Sequence, residues 1–352
     1  MRVSQAALST TGHNIANAGT DGYSRQRIDA TTNPATLQGG RFLGNGARVE
    51  SIERIANIFV TQQLRTDSSL ASDLESYFGQ LSQLDNLLSD ESTGLTGGLQ
   101  SFFAAMQNGA DDPTSIPARQ LIVSEAENLA DRFNSIDERL QVIESGVRDG
   151  MEVAVARVNS LVTSIAQLNL RITDAMGLSG SNQPNDLLDQ REEALRKLSE
   201  MVPIQTFNQG AGQVNVLMAG GLPMVVGPNA QTLSLQPGRN ANTGDDLVLS
   251  DGAGGRVVTQ AIKGGELGAL VRFRDESLTP AYSSLGRVAI VLADTFNSYH
   301  QQGITPENNF GGLFFNDIND SVSIRQRVIA ASENAQPSDR QLAVYIRDTS
   351  AL

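Results

Sequence analysis

Residues Ala118 to Met176 read ARQLIVSEAENLADRFNSIDERLQVIESGVRDGMEVAVARVNSLVTSIAQLNLRITDAM. Apolar positions recur in steps of four and three, first Ile122, Ala126, Leu129, Phe133, Ile136, Leu140, Ile143 and Val147. A second run follows at Met151, Ala154, Val158, Leu161, Ile165, Leu168 and Ile172. This is the seam of a helix that packs on other helices. Two steps of four meet at Val147, a stutter that locally unwinds the seam toward a straighter bundle. Gly146 and Gly150 flank it, each weakening the helix by about 1 kcal/mol relative to Ala. At 1.5 Å per residue such a helix is roughly 90 Å long, which points to a rod-like bundle.

Working outward, Asp111, Asp112, Pro113, Ser115 and Pro117 form the turn and start signal ahead of this helix, and Gly177 and Gly180 end it. Upstream, Phe59, Gln63, Thr66, Leu70, Leu74, Tyr77, Leu81, Leu84 and Leu88 form another seam, clean from Leu70 and expected to be intramolecular core. Gly94, Gly97 and Gly98 interrupt the pattern before a shorter amphipathic piece with Leu95, Leu99, Phe102, Phe103 and Met106. Downstream, a charged amphipathic helix is expected from Asp186 to about Val202, stopped by Pro203. From Ile204 to Thr259 the chain changes to short β-rich runs separated by Gly-Ala-Gly, Ala-Gly-Gly, Pro-Gly and Asp-Gly turns. Helix resumes at Glu266 to Ser277 and again to about Gln302, with Thr279 read as N-cap and Pro280 as first helical residue. Near the end, Leu342, Val344 and Ile346 alternate like an entering strand. The expected fold is therefore mainly α: a long antiparallel helical bundle with coiled-coil-like seams and an inserted small antiparallel β region. The expected divisions are an axial segment of helix plus loop at 1–45 and a bundle at 46–202 and 265–335. The β insertion falls at 203–264, and the start of a truncated further domain at 340–352.

Composition excludes much. The chain has 352 residues, a net charge of −13 and a pI near 4.6, with no basic stripe to neutralise phosphates, so nucleic acid is not an expected partner. Cys is absent and His13 and His300 are the two histidines, so neither thiol chemistry nor a His- or Cys-built metal site is expected. Apolar runs are too short for membrane insertion and no secretory signal opens the chain. The adjacent acids Asp111-Asp112, Glu192-Glu193, Asp245-Asp246 and Asp275-Glu276 point in different directions on a helix and read as solvated surface. Asn316, Asp317, Asn319 and Asp320 lack the Gly and the downstream Glu of a calcium loop. His13 reads as a loop or interface histidine, and His300 sits near a helix end that welcomes positive charge. No catalytic residue, cofactor or metal is expected.

At the N-terminus, Leu8 to Arg27 reads LSTTGHNIANAGTDGYSRQR, a short helical pattern running into a loop. Tyr23, Arg25 and Arg27 make that loop basic, aromatic and Gly-rich, which suits a solvated loop or a subunit interface, where Tyr and Arg are enriched. Gly22 there allows positive φ. The order Asn14, Ile15, Ala16, Asn17, Thr20, Gly22, Tyr23 closely resembles the N-I-A-N-x-x-T-x-G-Y signature of bacterial flagellar axial proteins, the rod, hook and hook-associated subunits. GNGARVESIERIANIFVTQQLR, NDLLDQREEALRKLSE and GELGALVRFRDESLTPA are similar to stretches of the subunits that join hook to filament.

The resemblance implies a structural subunit, exported by the flagellar type III route and located in the extracellular flagellum. It implies a subunit interface at Asn14, Ile15, Asn17, Thr20, Gly22, Tyr23, Arg25 and Arg27. Implied partners are the flagellar hook protein, a second hook–filament junction protein, further copies of itself in a ring, and an export chaperone that uses a C-terminal region beyond this sequence. The family begins about a dozen residues before Met1 and continues past Leu352, so a chain clipped at both ends is expected. Alternatives are another axial subunit, such as the second junction protein or a flagellin, and a signalling coiled-coil domain. Flagellins lack this loop in this form, and a signalling domain needs a membrane span or adaptor site that is not visible.

Overall fold

A computed structural model describes residues 2–316 apart from 39–40, 91–93, 180–182, 219, 239–243, 251, 253 and 306–307. Helix α1 (Arg2–Ala16) leads into four short strands, β1 (Gln26–Thr32), β2 (Thr36–Gln38), β3 (Arg41–Leu43) and β4 (Ala47–Arg54). The helices α2 (Ile58–Ser89), α3 (Leu95–Asp111), α4 (Ile116–Ser179) and α5 (Asn185–Met201) follow. Seven more strands come next: β5 (Ile204–Gly210), β6 (Gln213–Met218), β7 (Leu222–Val226), β8 (Asn229–Ala230), β9 (Thr232–Gln236), β10 (Asp246–Ser250) and β11 (Gly255–Val257). Helices α6 (Gly265–Phe273) and α7 (Thr279–Gln301) close the described part. The fold is mainly α with small antiparallel sheets, as expected, and the strands read between 204 and 259 lie where expected.

Two compact units emerge. The first comprises 1–75, 153–234 and 247–269, the second 76–152, 235–246 and 270–352. In the second, α3 returns against α4: Gly98 faces Arg132 and Leu129, and Gly109 faces Ile122. Helix α4 is antiparallel to α6 and α7, since Leu129 shares a cluster with Leu292, Tyr282 reaches Glu144, and Leu270 covers Gly150. Phe102, Ala126 and Leu129 form its core, lined by Phe133, Phe296, Phe314 and Phe315. His300 stacks on Phe296, and its Nδ1 lies 2.7 Å from the Gly312 carbonyl.

In the first unit, α1 lies on the β1–β4 ribbon, and the sheet β5–β6–β7–β8 sits over α4. Buried Asn169 on α4 does the fastening. Its Nδ2 donates to the Val214 and Gly227 carbonyls, both at 2.8 Å, while its Oδ1 accepts from Val214 N–H at 3.2 Å and Arg191 Nη1 at 3.0 Å. Arg191 also donates to the Gly212 carbonyl, and burial lowers its pKa to about 10. Every seam position of α4 from Ile122 to Ile172 is buried or half-buried.

Three expectations need correction. The α2 seam is not the buried face: Leu84 is buried and Tyr77 and Leu81 are half-buried, but Leu70, Leu74 and Leu88 are 57%, 42% and 51% exposed. Arg65, Ser69 and Asp73 turn inward instead, because Arg65 pairs with Glu192 and donates to Thr206 Oγ1 at 3.0 Å. Thr279 is not an N-cap. The chain passes from α6 to α7 through a π-helical turn at Arg274–Leu278, with Thr279 in helical geometry and its hydroxyl donating to the Arg274 carbonyl at 2.8 Å. A wider turn is one way a helix absorbs a proline that lacks an N–H. The four strands between Gln26 and Arg54 were not anticipated at all. The strand pattern at Leu342–Ile346 and the acids at 317–320 lie outside the described residues.

Candidate functional site

The N-terminal signature folds into a loop clamped onto α5, wholly within the first unit. Helix α1 gives way to tighter turns after Asn17, whose backbone N–H makes the last i→i−4 bond, to the His13 carbonyl at 3.1 Å, while its Nδ2 donates to the same carbonyl at 3.0 Å. Thr20 N–H then donates to Asn17 O at 3.0 Å, and Tyr23 N–H to Thr20 O at 3.2 Å. Asn14 closes the loop. Its Nδ2 donates to Gln26 O at 2.9 Å, and its Oδ1 accepts from Gln26 N–H and from the Tyr23 hydroxyl, both at 2.8 Å. One carboxamide thus pairs with both backbone polar groups of a single residue as a neighbouring strand would, a task that needs a donor and an acceptor on one side chain. The Tyr23 proton goes to Asn14, so His13, whose Nδ1 lies 2.9 Å from that hydroxyl, donates to it.

Helix α5 supplies the other half. Asn185, Asp189 and Glu193 recur every four residues and so share one face. Asp189 accepts from Ser24 N–H at 3.1 Å and from Arg54 Nη1 at 2.8 Å. Asp186 accepts from Gln26 Nε2 at 3.4 Å, and Asn185 Nδ2 donates to Ile52 O at 2.7 Å. Gly22 has φ +77°, and a Cβ there would lie 2.8 Å from Glu193 Cβ, so both conformation and clearance require glycine.

The electrostatics follow. Partial burial, then the carboxylates of Asp189 and Asp186, raise the Tyr23 pKa, so the hydroxyl stays a donor. Hydrogen bonds from Arg196, which grips Glu193 bidentately at 2.7 and 2.8 Å, hold the Glu193 carboxyl below its usual range against burial. Grooves of about 480 and 490 Å³ flank the loop where it meets α5. Among the described residues no three His, Asp or Glu side chains are grouped to hold a metal, and no helix is long and apolar enough to cross a membrane.

Of the residues expected at an interface, Asn14, Asn17, Thr20, Gly22 and Tyr23 are brought together, and their contacts build the loop itself. Ile15 is 73% exposed, and Arg25 and Arg27 are exposed as well. Sequence reasoning missed the α5 partners Asn185, Asp186, Asp189 and Glu193. The four-residue spacing of Asn185, Asp189 and Glu193 was the available signal.

Comparison with known proteins adds the family. The model of the flagellar hook-associated protein FlgK helical domain matches residues 81–315. The chain is 33% identical over 349 residues to flagellar hook-associated protein 1 of Salmonella typhimurium, covering 95% of this chain and 63% of that protein. It is 30% identical over 345 residues to the Bacillus subtilis protein of that name, covering 88% and 67%. The solved structure of the flagellar hook junction protein FlgK from Burkholderia pseudomallei superposes with a TM-score of 0.67 at 28% identity, covering 72% of this chain and 46% of that one. The chain thus spans about 63% of the length of the Salmonella relative.

Proposed function

The chain belongs to the FlgK family of flagellar hook-associated proteins, and from that membership we propose that it serves as a structural subunit of the hook–filament junction. The observation that carries the reading is the N-terminal loop, which Asn14 and Tyr23 hold together and Ser24 ties to α5 while Ile15, Arg25 and Arg27 stay exposed. A packed loop with an exposed apolar and basic edge suits a repeated contact between subunits. In this reading residues 1–45 belong to the axial end, and the helical bundle with its β insertion at 203–264 forms wall around it. The partners are the hook protein, a second junction protein, neighbouring copies in a ring, and a chaperone before type III export. The role is mechanical and extracellular, without catalysis, cofactor or metal.

Complementation tests it. The gene that encodes the chain, expressed in a strain lacking its own junction protein, is expected to restore filament attachment to hooks. Hooks that stay bare while filament subunits spill into the medium would overturn the proposal.

A further inference from the structure

Two features of the first unit carry opposite chemistry and do not satisfy each other within the chain. The first is the β2–β3 hairpin. It pairs Leu37 with Phe42 across the turn, yet Leu37, Phe42 and Leu43 are 64%, 79% and 51% exposed. Its base is fixed: Asn33 N–H donates to Gly46 O at 2.8 Å, Asn33 Nδ2 to Asn45 O at 2.9 Å, and Asn45 Nδ2 to Pro34 O at 2.8 Å. Across residues 24–49 Arg25, Arg27, Arg41 and Arg48 face the single carboxylate of Asp29, in a chain whose net charge is −13. The hairpin itself, 33–46, carries Arg41 and no acid, so an apolar arm of positive charge belongs to an acidic chain.

The second feature is the groove of about 480 Å³ at the start of α5, lined by Ser9, Thr10, His13, Ile52, Asn185 and Asp186 among others. Asn185 is 7% exposed, and among the described residues its buried Oδ1 has no hydrogen-bond partner, although its Nδ2 is satisfied by Ile52 O. Buried acceptors are rarely left unpaired, so this one marks a place for an incoming donor. The Asp186 carboxylate beside it favours a cationic one.

We propose that the hairpin arm of one copy of this chain docks in the Asn185–Asp186 groove of a second copy, Arg41 donating to the two acceptors and Phe42 packing against Ile52. The proposal rests on the self-associating reading given above and specifies its surfaces. A second copy is the occupant because the arm's charge is opposite to that of the whole chain. Arm and groove are different surfaces, so the contact is heterologous and leaves a free arm and a free groove at the two ends, as a ring or helical stack requires. The prefixed hairpin base lowers the ordering cost of docking.

The absence of cysteine makes the test clean. Purified Phe42→Cys chain is mixed at high concentration with Ser9→Cys chain and oxidised. Val142→Cys, 72% exposed on α4, replaces Phe42→Cys in the control mixture. The expected result is a cross-linked heterodimer several-fold above the control, falling with added salt, reduced by Arg41→Glu in the arm copy and partly restored by Asp186→Lys in the groove copy. A yield equal to the control, or Phe42→Cys homodimers in excess, would overturn the proposal. Filament attachment by the unmodified chain separates the two readings. Attachment without the cross-link removes the arm–groove contact alone, and the cross-link without attachment removes the junction role alone.

Discussion

At the residue scale, the loop rests on side chains that each do the work of a backbone. Asn14→Ala removes three hydrogen bonds and takes their Asn14 partner from both backbone polar groups of Gln26. Such a change costs about 1–3 kcal/mol, readable as a lower urea midpoint at constant slope. Gly22→Ala is expected to cost about as much, since it adds backbone strain to a clash with Glu193. Glu193 also gives a pH signature. Its folded pKa lies below the ordinary 4.5, so it contributes stability that is full above that value and lost as pH falls through the folded pKa. Glu193→Gln should therefore flatten the stability–pH curve below about pH 4.5 and leave the region above it parallel to the parent curve. A parallel offset across the whole acid range would mean that Glu193 does not titrate differently in the two states. Much of this site was legible as a motif, but not as a mechanism. The sequence shows Asn14 and Tyr23 nine residues apart, while Asp189 reaches Ser24 and Arg54 only through folding, across 165 and 135 positions.

At the element scale, periodicity served where one helix is covered along its length and failed where ionic contacts set the orientation. Helix α4 obeyed its seam because apolar neighbours cover it in both units. Helix α2 did not, because Arg65 finds Glu192 on α5, 127 positions away, and turns Leu70 and Leu74 outward. The strands between Gln26 and Arg54 were hidden because they pair as narrow ribbons with little burial, which leaves no strong alternation to read. Substitution separates the two helices. Leu140, 0% exposed on α4, should cost about 2–5 kcal/mol when changed to Ala, whereas Leu74→Ala on α2 should stay within about 0.5 kcal/mol. Equal losses in thermal unfolding would return the α2 seam to the core.

At the scale of the whole molecule, there are two compact units, and each contains part of α2, α4 and α6. The chain that contains them belongs to the FlgK family of flagellar hook-associated proteins. The account's central claim is a division of labour within one short loop: Asn14 and Tyr23 hold it together, Ser24 ties it to α5, and the proposed contacts with neighbouring subunits fall to the exposed Ile15 and Arg25. The measurement that tests this most directly is filament attachment by an Ile15→Asp, Arg25→Glu chain whose urea unfolding curve has been recorded in parallel. The account predicts a stability within about 0.5 kcal/mol of the parent, as for exposed surface changes, together with loss of most attached filaments. Full attachment at unchanged stability would contradict it.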